Sequence, residues 1–166
     1  MQMLSRYFTP FALFLIFSAV YFGEPEPQAT RISMAILLCD VLLNWWIGRN
    51  QYRWVGWAAR LRQVQVWMNF IWAVPLFYLL YPFWGPMWLL FVLAPTAAAL
   101  TTSRTETVVC SLAAAGSMIG LIWARQPLEG PGLGMVVSHA AFIVIFSLFV
   151  HGLAQTALRL RDSNLA

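Results

Sequence analysis

Charged residues are scarce in this sequence. They make up 10% of the 166 residues, and all ten basic residues are arginine, because lysine is absent. A soluble domain usually carries about 25% charged residues. So few charges cannot cover a water-facing surface, whereas 61% of the residues are hydrophobic and the mean hydropathy is +0.71. The composition excludes an ordinary soluble domain and indicates an integral membrane protein.

Cysteine is rare, and the signatures of common enzyme sites are missing. Cys39 and Cys110 lie in apolar stretches without metal or disulfide spacing, so we expect buried free thiols. The sequence has no H-E-x-x-H, C-x-x-C or G-x-S-x-G motif and no glycine-rich phosphate loop. The two histidines, His139 and His151, would lie about 18 Å apart on one helix and could not share one haem. We therefore expect a non-catalytic protein without a metal site, and the sequence specifies no cofactor.

Long apolar runs dominate the chain. A membrane-spanning helix needs roughly 20 apolar residues, with a range of about 17–25. Six runs meet or approach this length: 4–22, 32–48, 64–83, 87–102, 107–124 and 134–153. The first run is followed by "GEPEPQATR" rather than a small-residue cleavage site, so we interpret it as a retained span. The sequence thus predicts an all-α, polytopic membrane protein with a six-helix bundle over residues 1–153.

The arginines orient this bundle. If both chain termini are cytoplasmic, eight of the ten arginines face the cytoplasm and only Arg31 and Arg125 lie outside. Cytoplasmic loops of membrane proteins carry such an excess of basic residues. The sequence therefore predicts cytoplasmic N- and C-termini and a multi-pass protein of the bacterial inner membrane. Residues 154–166 would continue the last helix into the cytoplasm.

The second loop has the pattern of an amphipathic helix over residues 52–62. Apolar residues recur there at helical spacing: Trp54, Trp57, Ala58 and Leu61. Arg53 and Arg60 fall on the other side, as in a helix that lies in the lipid headgroup region. We expect Arg53, Trp54, Trp57 and Arg60 to contact this interface. They would act either as a topology anchor or as a specific site for a lipid or partner.

One acidic residue, Asp40, lies near the middle of a predicted span. Asn44 follows one helical turn later on the same face, and Asn69 of the third span lies at a similar depth. Because an ionisable group is costly inside a bilayer, it is a candidate functional residue. The sequence predicts an Asp40–Asn44–Asn69 cluster. It would either join two helices through hydrogen bonds or form a ligand-recognising or proton-responsive site.

Three further residues are candidates for lining a ligand site. His139, in the outer third of the sixth span, could hydrogen-bond a ligand or simply pack against a neighbouring helix. Trp45 and Trp72 could form the walls of an apolar pocket for a lipid-like or quinone-like molecule, or they could face lipid.

The last helix carries an apolar seam whose members are three or four residues apart: Phe146, Val150, Leu153, Ala157, Leu160 and Asn164. This spacing is typical of the a and d positions of a coiled coil, and a buried Asn at an a position favours two strands. We expect a connector helix that pairs with a second copy. The alternative is an amphipathic tail whose arginines reach back to the headgroups.

In its length, its six short spans, the arginine-rich second loop, the "RTET" loop and the final "LRLRDSNLA", the chain resembles a family of bacterial input modules. These are the six-span membrane sensor modules of histidine kinases and diguanylate cyclases, including those of quorum-sensing kinases that detect lipid-like α-hydroxyketones. The resemblance implies that an apolar signal binds within the bundle and that the last helix passes it to an effector. It carries over no individual binding residue.

We therefore expect a sensory input module whose partners are membrane lipids and a second copy or partner membrane subunits, with no nucleic acid. One alternative is a structural or assembly subunit of a respiratory, photosynthetic or cell-envelope complex, since few charges suit burial against partner helices. A small carrier that depends on Asp40 is the third.

Overall fold

The computed structural model describes residues 2–50, 58–125 and 130–163, and no strand occurs in these ranges. The α-helices, in chain order, are α1 (Gln2–Gly23), α2 (Pro27–Asn50), α3 (Ala58–Leu80), α4 (Leu90–Thr101), α5 (Arg104–Arg125) and α6 (Pro131–Ser163). A 3₁₀-helix, Gly85–Leu89, leads directly into α4. The predicted all-α class is confirmed.

Four helical segments are long and apolar enough to cross a membrane: Pro27–Arg49, Gln63–Leu80, Arg104–Arg125 and Pro131–Leu160. Two shorter apolar stretches, Phe8–Gly23 and Gly85–Thr101, correspond to the first and fourth predicted spans. The fourth is divided into the 3₁₀-helix Gly85–Leu89, with Pro86 in its first turn, and the α-helical part that follows. Apolar helices of this number and length define a multi-pass membrane protein.

The start of α3 differs from the predicted organisation of the second loop. Residues 58–62 were expected in a separate interfacial helix. They instead form the start of α3, which continues without a break to Leu80. The sequence "ARLRQV" explains the continuity, because these residues are mostly good helix formers and none is Gly or Pro. The preceding part of the predicted interfacial helix, 52–57, lies outside the described residues.

The chain divides into two compact units, residues 1–93 and 94–166, with the boundary inside α4. The core of the first unit is aromatic. Phe77 lies edge-on to Phe91 at a centroid distance of 5.1 Å and stacks on Tyr81 at 4.5 Å. Both phenylalanines are fully buried. Aromatic pairs in these geometries add stability beyond the area that they bury, so α3 and the start of α4 are firmly joined.

A close approach of backbone to backbone determines how α1 ends. A Cβ atom placed on Gly23 would lie 2.9 Å from the carbonyl oxygen of Phe83. Only glycine therefore fits here, at the contact between the end of α1 and the turn after α3. The chain then reverses through Glu24, whose φ is 45°, and Pro27 occupies the first position of α2, where its missing N–H costs no hydrogen bond.

In the second unit, α5 and α6 pack through small side chains. The buried face of α5 includes Thr107, Ser111, Ala114 and Met118. Small residues allow membrane helices to approach closely. The buried face of α6 combines small and larger residues three or four positions apart: Val136, Ala140, Ile143, Ser147 and His151.

We expect Gly23→Ala to lower the thermal stability of the detergent-solubilised protein, because the new methyl group collides with the backbone at Phe83. Overpacking of this kind costs about 1–3 kcal/mol. Gly120→Ala is the matched control, since a Cβ there meets nothing within 4 Å. Equal unfolding temperatures for the two variants would contradict the close contact.

Candidate functional site

Three polar residues of α2, Ser33, Asp40 and Asn44, lie on its packed face. Ser33, Leu37, Asp40, Asn44 and Ile47 follow one another at steps of four and three residues, which places them on one side of a helix. Ser33, Leu37 and Ile47 are buried, and Asp40 and Asn44 are half-buried. The acid and the amide therefore lie against protein on one side.

The predicted cluster of Asp40, Asn44 and Asn69 forms, and it includes a fourth member, Gln65. The side-chain nitrogen of Asn44 donates to Asp40 Oδ1 at 3.0 Å and to Asn69 Oδ1 at 3.2 Å. Gln65 Nε2 donates to Asn44 Oδ1 at 2.8 Å. One amide thus joins α2 to two positions of α3 that are one helical turn apart. We call these four residues the polar cluster.

Asn44 is the centre of the polar cluster. It has two amide protons, and the geometry directs them to two acceptors, while its oxygen accepts the bond from Gln65. Asp40 is at the edge of the cluster. Within the described residues its carboxyl group accepts a bond from Asn44 alone, although a carboxylate has about four lone-pair sites. Asp40 therefore retains capacity for a hydrogen-bond donor or a cation.

The polar cluster includes an acidic residue, Asp40, that is far from both ends of its candidate membrane span. Asp40 precedes Arg49, at the end of the candidate span, by about 13 Å of helix, and it follows Pro27 by about 20 Å. A hydrocarbon core is about 30 Å thick, so Asp40 lies well inside it. A carboxyl group at this depth is expensive unless a proton, a cation or hydrogen bonds compensate it.

The other predicted ligand-site residues are not part of this hydrogen-bonded set. Trp45 is 60% exposed on the opposite side of α2, with the Arg49 guanidinium 5.4 Å from its ring centroid. Trp72 is half-buried on α3, one turn after Asn69. His139 is half-buried on α6, in the second unit, beside Ser138, whose hydroxyl donates to the Gly134 carbonyl. Their roles in ligand binding stay predictions.

The predicted lipid-contact and seam residues are only partly described. Arg60 is exposed in the first turn of α3, whereas Arg53, Trp54, Trp57 and Asn164 lie outside the described residues. On α6, Val150 is half-buried and the next three seam positions are exposed: Leu153, Ala157 and Leu160. Cys110 is buried as expected, but Cys39 is exposed, because it points away from the packed face of α2.

A second polar contact, between α4 and α6, was not predicted. His151 is 7% exposed, and its Nδ1 lies 3.0 Å from the carbonyl oxygen of Ala99. A carbonyl only accepts, so the imidazole donates from Nδ1. Ala99 is in the last turn of α4, where helix carbonyls have no partner within the helix. His151 therefore caps α4 from another helix, and no local sequence signal relates two residues that are 52 positions apart.

Several other polar groups at this end of α4 make local hydrogen bonds. The hydroxyls of Thr101 and Thr102 donate to Ala97 and Ala98 at 2.7 and 2.8 Å. Ser103 and Glu106 exchange two hydrogen bonds, from the Ser103 N–H to Glu106 Oε2 at 3.2 Å and from the Glu106 N–H to Ser103 Oγ at 3.3 Å. This is a capping box at the start of α5. Its signature, S-x-x-E, is visible in the sequence "SRTE" and could have been found there.

Within the ranges 2–50, 58–125 and 130–163, no three His, Cys, Asp or Glu side chains come together as a set that could hold a metal ion. Comparison with known proteins gives no match to a protein-family model, a curated protein or a solved structure. Function must therefore be argued from the chain's own geometry.

We expect Asn44→Leu to destabilise the protein in detergent by about 2 kcal/mol, because it removes three hydrogen bonds of about 0.6 kcal/mol each. Asn69→Leu removes one of them and is expected to cost about a third as much. Denaturant unfolding measures both. If the two variants unfold alike, Asn44 is not the centre of the polar cluster.

Proposed function

We propose that the chain crosses the bacterial inner membrane six times, with both termini in the cytoplasm. The four long spans supply four crossings, and α1 and the combined 3₁₀–α4 segment supply the others. The latter, Gly85–Thr101, has 17 residues, the lower end of the spanning range. The support for this orientation is the arginine distribution, with eight of ten arginines on one side.

We further propose that the protein is a non-catalytic membrane input module, which binds an apolar or lipid-like signal and relays it through its last helix. The observation that carries this proposal is the continuity of α6. It is a single helix of 33 residues, about 50 Å long, whereas a bilayer core needs only about 30 Å. A helix that continues this far is suited to passing a displacement to an effector, on the same or another chain.

The two surfaces of α6 support separate tasks. The face that includes Ile143, Ser147 and His151 is buried against the second unit. The seam that includes Leu153 and Leu160 lies about 100° around the helix, given 3.6 residues per turn. Leu153 is 54% exposed and Leu160 is 61% exposed. One face can therefore hold the helix in the bundle while the other meets a second copy of the chain.

The proposed signal site is the polar cluster, with Asp40 as the group that meets the polar part of the ligand. A ligand can shift α6 only if it binds one conformation of the protein more tightly than another.

A second candidate function, a structural subunit of a larger membrane complex, is favoured by a different observation. Both amide protons of Asn44 and its oxygen are engaged in hydrogen bonds, one to Asp40 within α2 and two to Asn69 and Gln65 of α3. Such saturation is what a cluster that only joins two helices requires. The capacity that remains on Asp40 favours the input module.

Cysteines placed at Leu153 and Leu160 are expected to cross-link two copies of the chain in native membranes, because both lie on the exposed seam. The experiment uses a Cys39→Ser, Cys110→Ala background to remove the natural thiols. Gln155→Cys is the matched control, since it is exposed on the opposite side of the same helix. More efficient cross-linking at position 155 than at 153 and 160 would contradict the dimeric relay.

Asp40→Asn is expected to reduce the amount of a small amphiphile that co-purifies from native membranes, measured by mass spectrometry of extracted lipids, while the unfolding temperature changes little. The substitution keeps the size of the side chain and its acceptor toward Asn44 but removes the negative charge. An unchanged lipid profile together with a large loss of stability would support the structural-subunit candidate instead.

A further inference from the structure

A stripe of exposed residues runs along the side of α2 that faces away from the polar cluster. Leu38, Leu42, Trp45 and Arg49 follow at steps of four, three and four residues. Leu38, Leu42 and Trp45 are 60%, 53% and 60% exposed. The stripe lies about 150° around the helix from the packed face. The stripe is apolar along its length and ends in one cation at the end of the helix. An anionic amphiphile lying along it would place its apolar chain on the apolar residues and its charged group beside this cation.

The cation is held in a defined position. The guanidinium carbon of Arg49 is 5.4 Å from the centroid of the Trp45 ring, within the range of a cation–π contact. The neutral ring does not take up the guanidinium N–H donors as an oxygen acceptor would, and it leaves the positive charge in place. Arginine binds phosphate oxygens through pairs of such donors. Arg49 can therefore bind an anion beside Trp45.

The surrounding positive charge also favours an anion. The hydrogen bonds from Asn44 to α3 place the end of α2 and the start of α3 at the same end of the first unit. Two exposed arginines lie at this end, Arg49 near the end of α2 and Arg60 in the first turn of α3. The carboxylates of residues 1–93 are Glu24 and Glu26, before the start of α2, and Asp40, about 13 Å of helix away from Arg49. Membrane phosphates are the complementary charge that a bilayer surface supplies.

We propose that this stripe binds one anionic phospholipid, with its phosphate on Arg49 and an acyl chain along Leu42 and Leu38. The distance from Leu38 to Arg49 is about 16 Å along the helix, which is about half the thickness of a hydrocarbon core. The stripe therefore matches the lipid of a single leaflet. The proposal requires only that α2 spans a bilayer and is independent of the proposed sensory role.

The test compares lipid retention in nanodiscs that contain equal amounts of phosphatidylglycerol and phosphatidylcholine. Native mass spectrometry gives the ratio of the two lipids that stay bound after release from the disc. Arg49→Gln is expected to lower the phosphatidylglycerol ratio about fivefold, the effect of one basic residue near an anionic surface. Arg31→Gln is the matched control, because Arg31 is exposed at the other end of the same helix.

Two further variants separate a built site from general attraction. Arg49→Lys keeps the charge but loses the planar guanidinium, and an intermediate ratio is expected. Trp45→Leu keeps Arg49 but removes the ring that orients it, so a reduced ratio is expected even if Arg49→Gln does not fold. The proposal is overturned if Arg31→Gln and Arg49→Gln lower the ratio equally, if Arg49→Gln leaves it unchanged, or if Arg49→Lys equals the wild type.

Discussion

Hydrocarbon offers no hydrogen bonds, so each polar group placed inside a membrane must find its partner within the protein. This constraint explains the two polar contacts that organise the two units. In the first unit Asn44 joins α2 to α3 through its hydrogen bonds with Asn69 and Gln65. In the second, His151 donates to the Ala99 carbonyl at the end of α4. Both contacts are between helices, and both use side chains that would be costly if left alone.

Apolar packing completes each unit in a way that suits its composition. The first relies on aromatic rings, with Phe77 and Phe91 at its centre. The second relies on small side chains such as Ala114 and Ala140, which allow α5 and α6 to lie close together. The seam of α6 lies outside this packed contact and stays exposed. The proposed relay depends on this seam. In the same way, the proposed signal site depends on the acceptor capacity that remains on Asp40.

Much of the fold could be predicted because the bilayer imposes a simple length rule. Runs of about 20 apolar residues predicted helices at the right places, and the i, i+4 spacing of Asp40 and Asn44 predicted the shared face. The spacing rule could not extend to Gln65, because a polar residue near a span end has several possible orientations. Nor could it find the partner of His151, since a contact between residues 99 and 151 depends on how α4 and α6 lie against each other. The continuity of residues 58–62 with α3 was missed for a local reason, because amphipathic spacing alone does not show where a helix bends.

The sequence by itself determined the membrane class, the helical character and the position of Asp40 within an apolar run, because hydropathy and helical periodicity are properties of neighbouring residues. Tertiary structure decided which polar groups meet. A hydrogen bond needs two atoms within about 3 Å, and only the register between two packed helices brings Asn44 to Gln65 and Asn69. It also decided which sides of α2 and α6 stay exposed, since burial depends on what packs against a helix as well as on the residues that it carries.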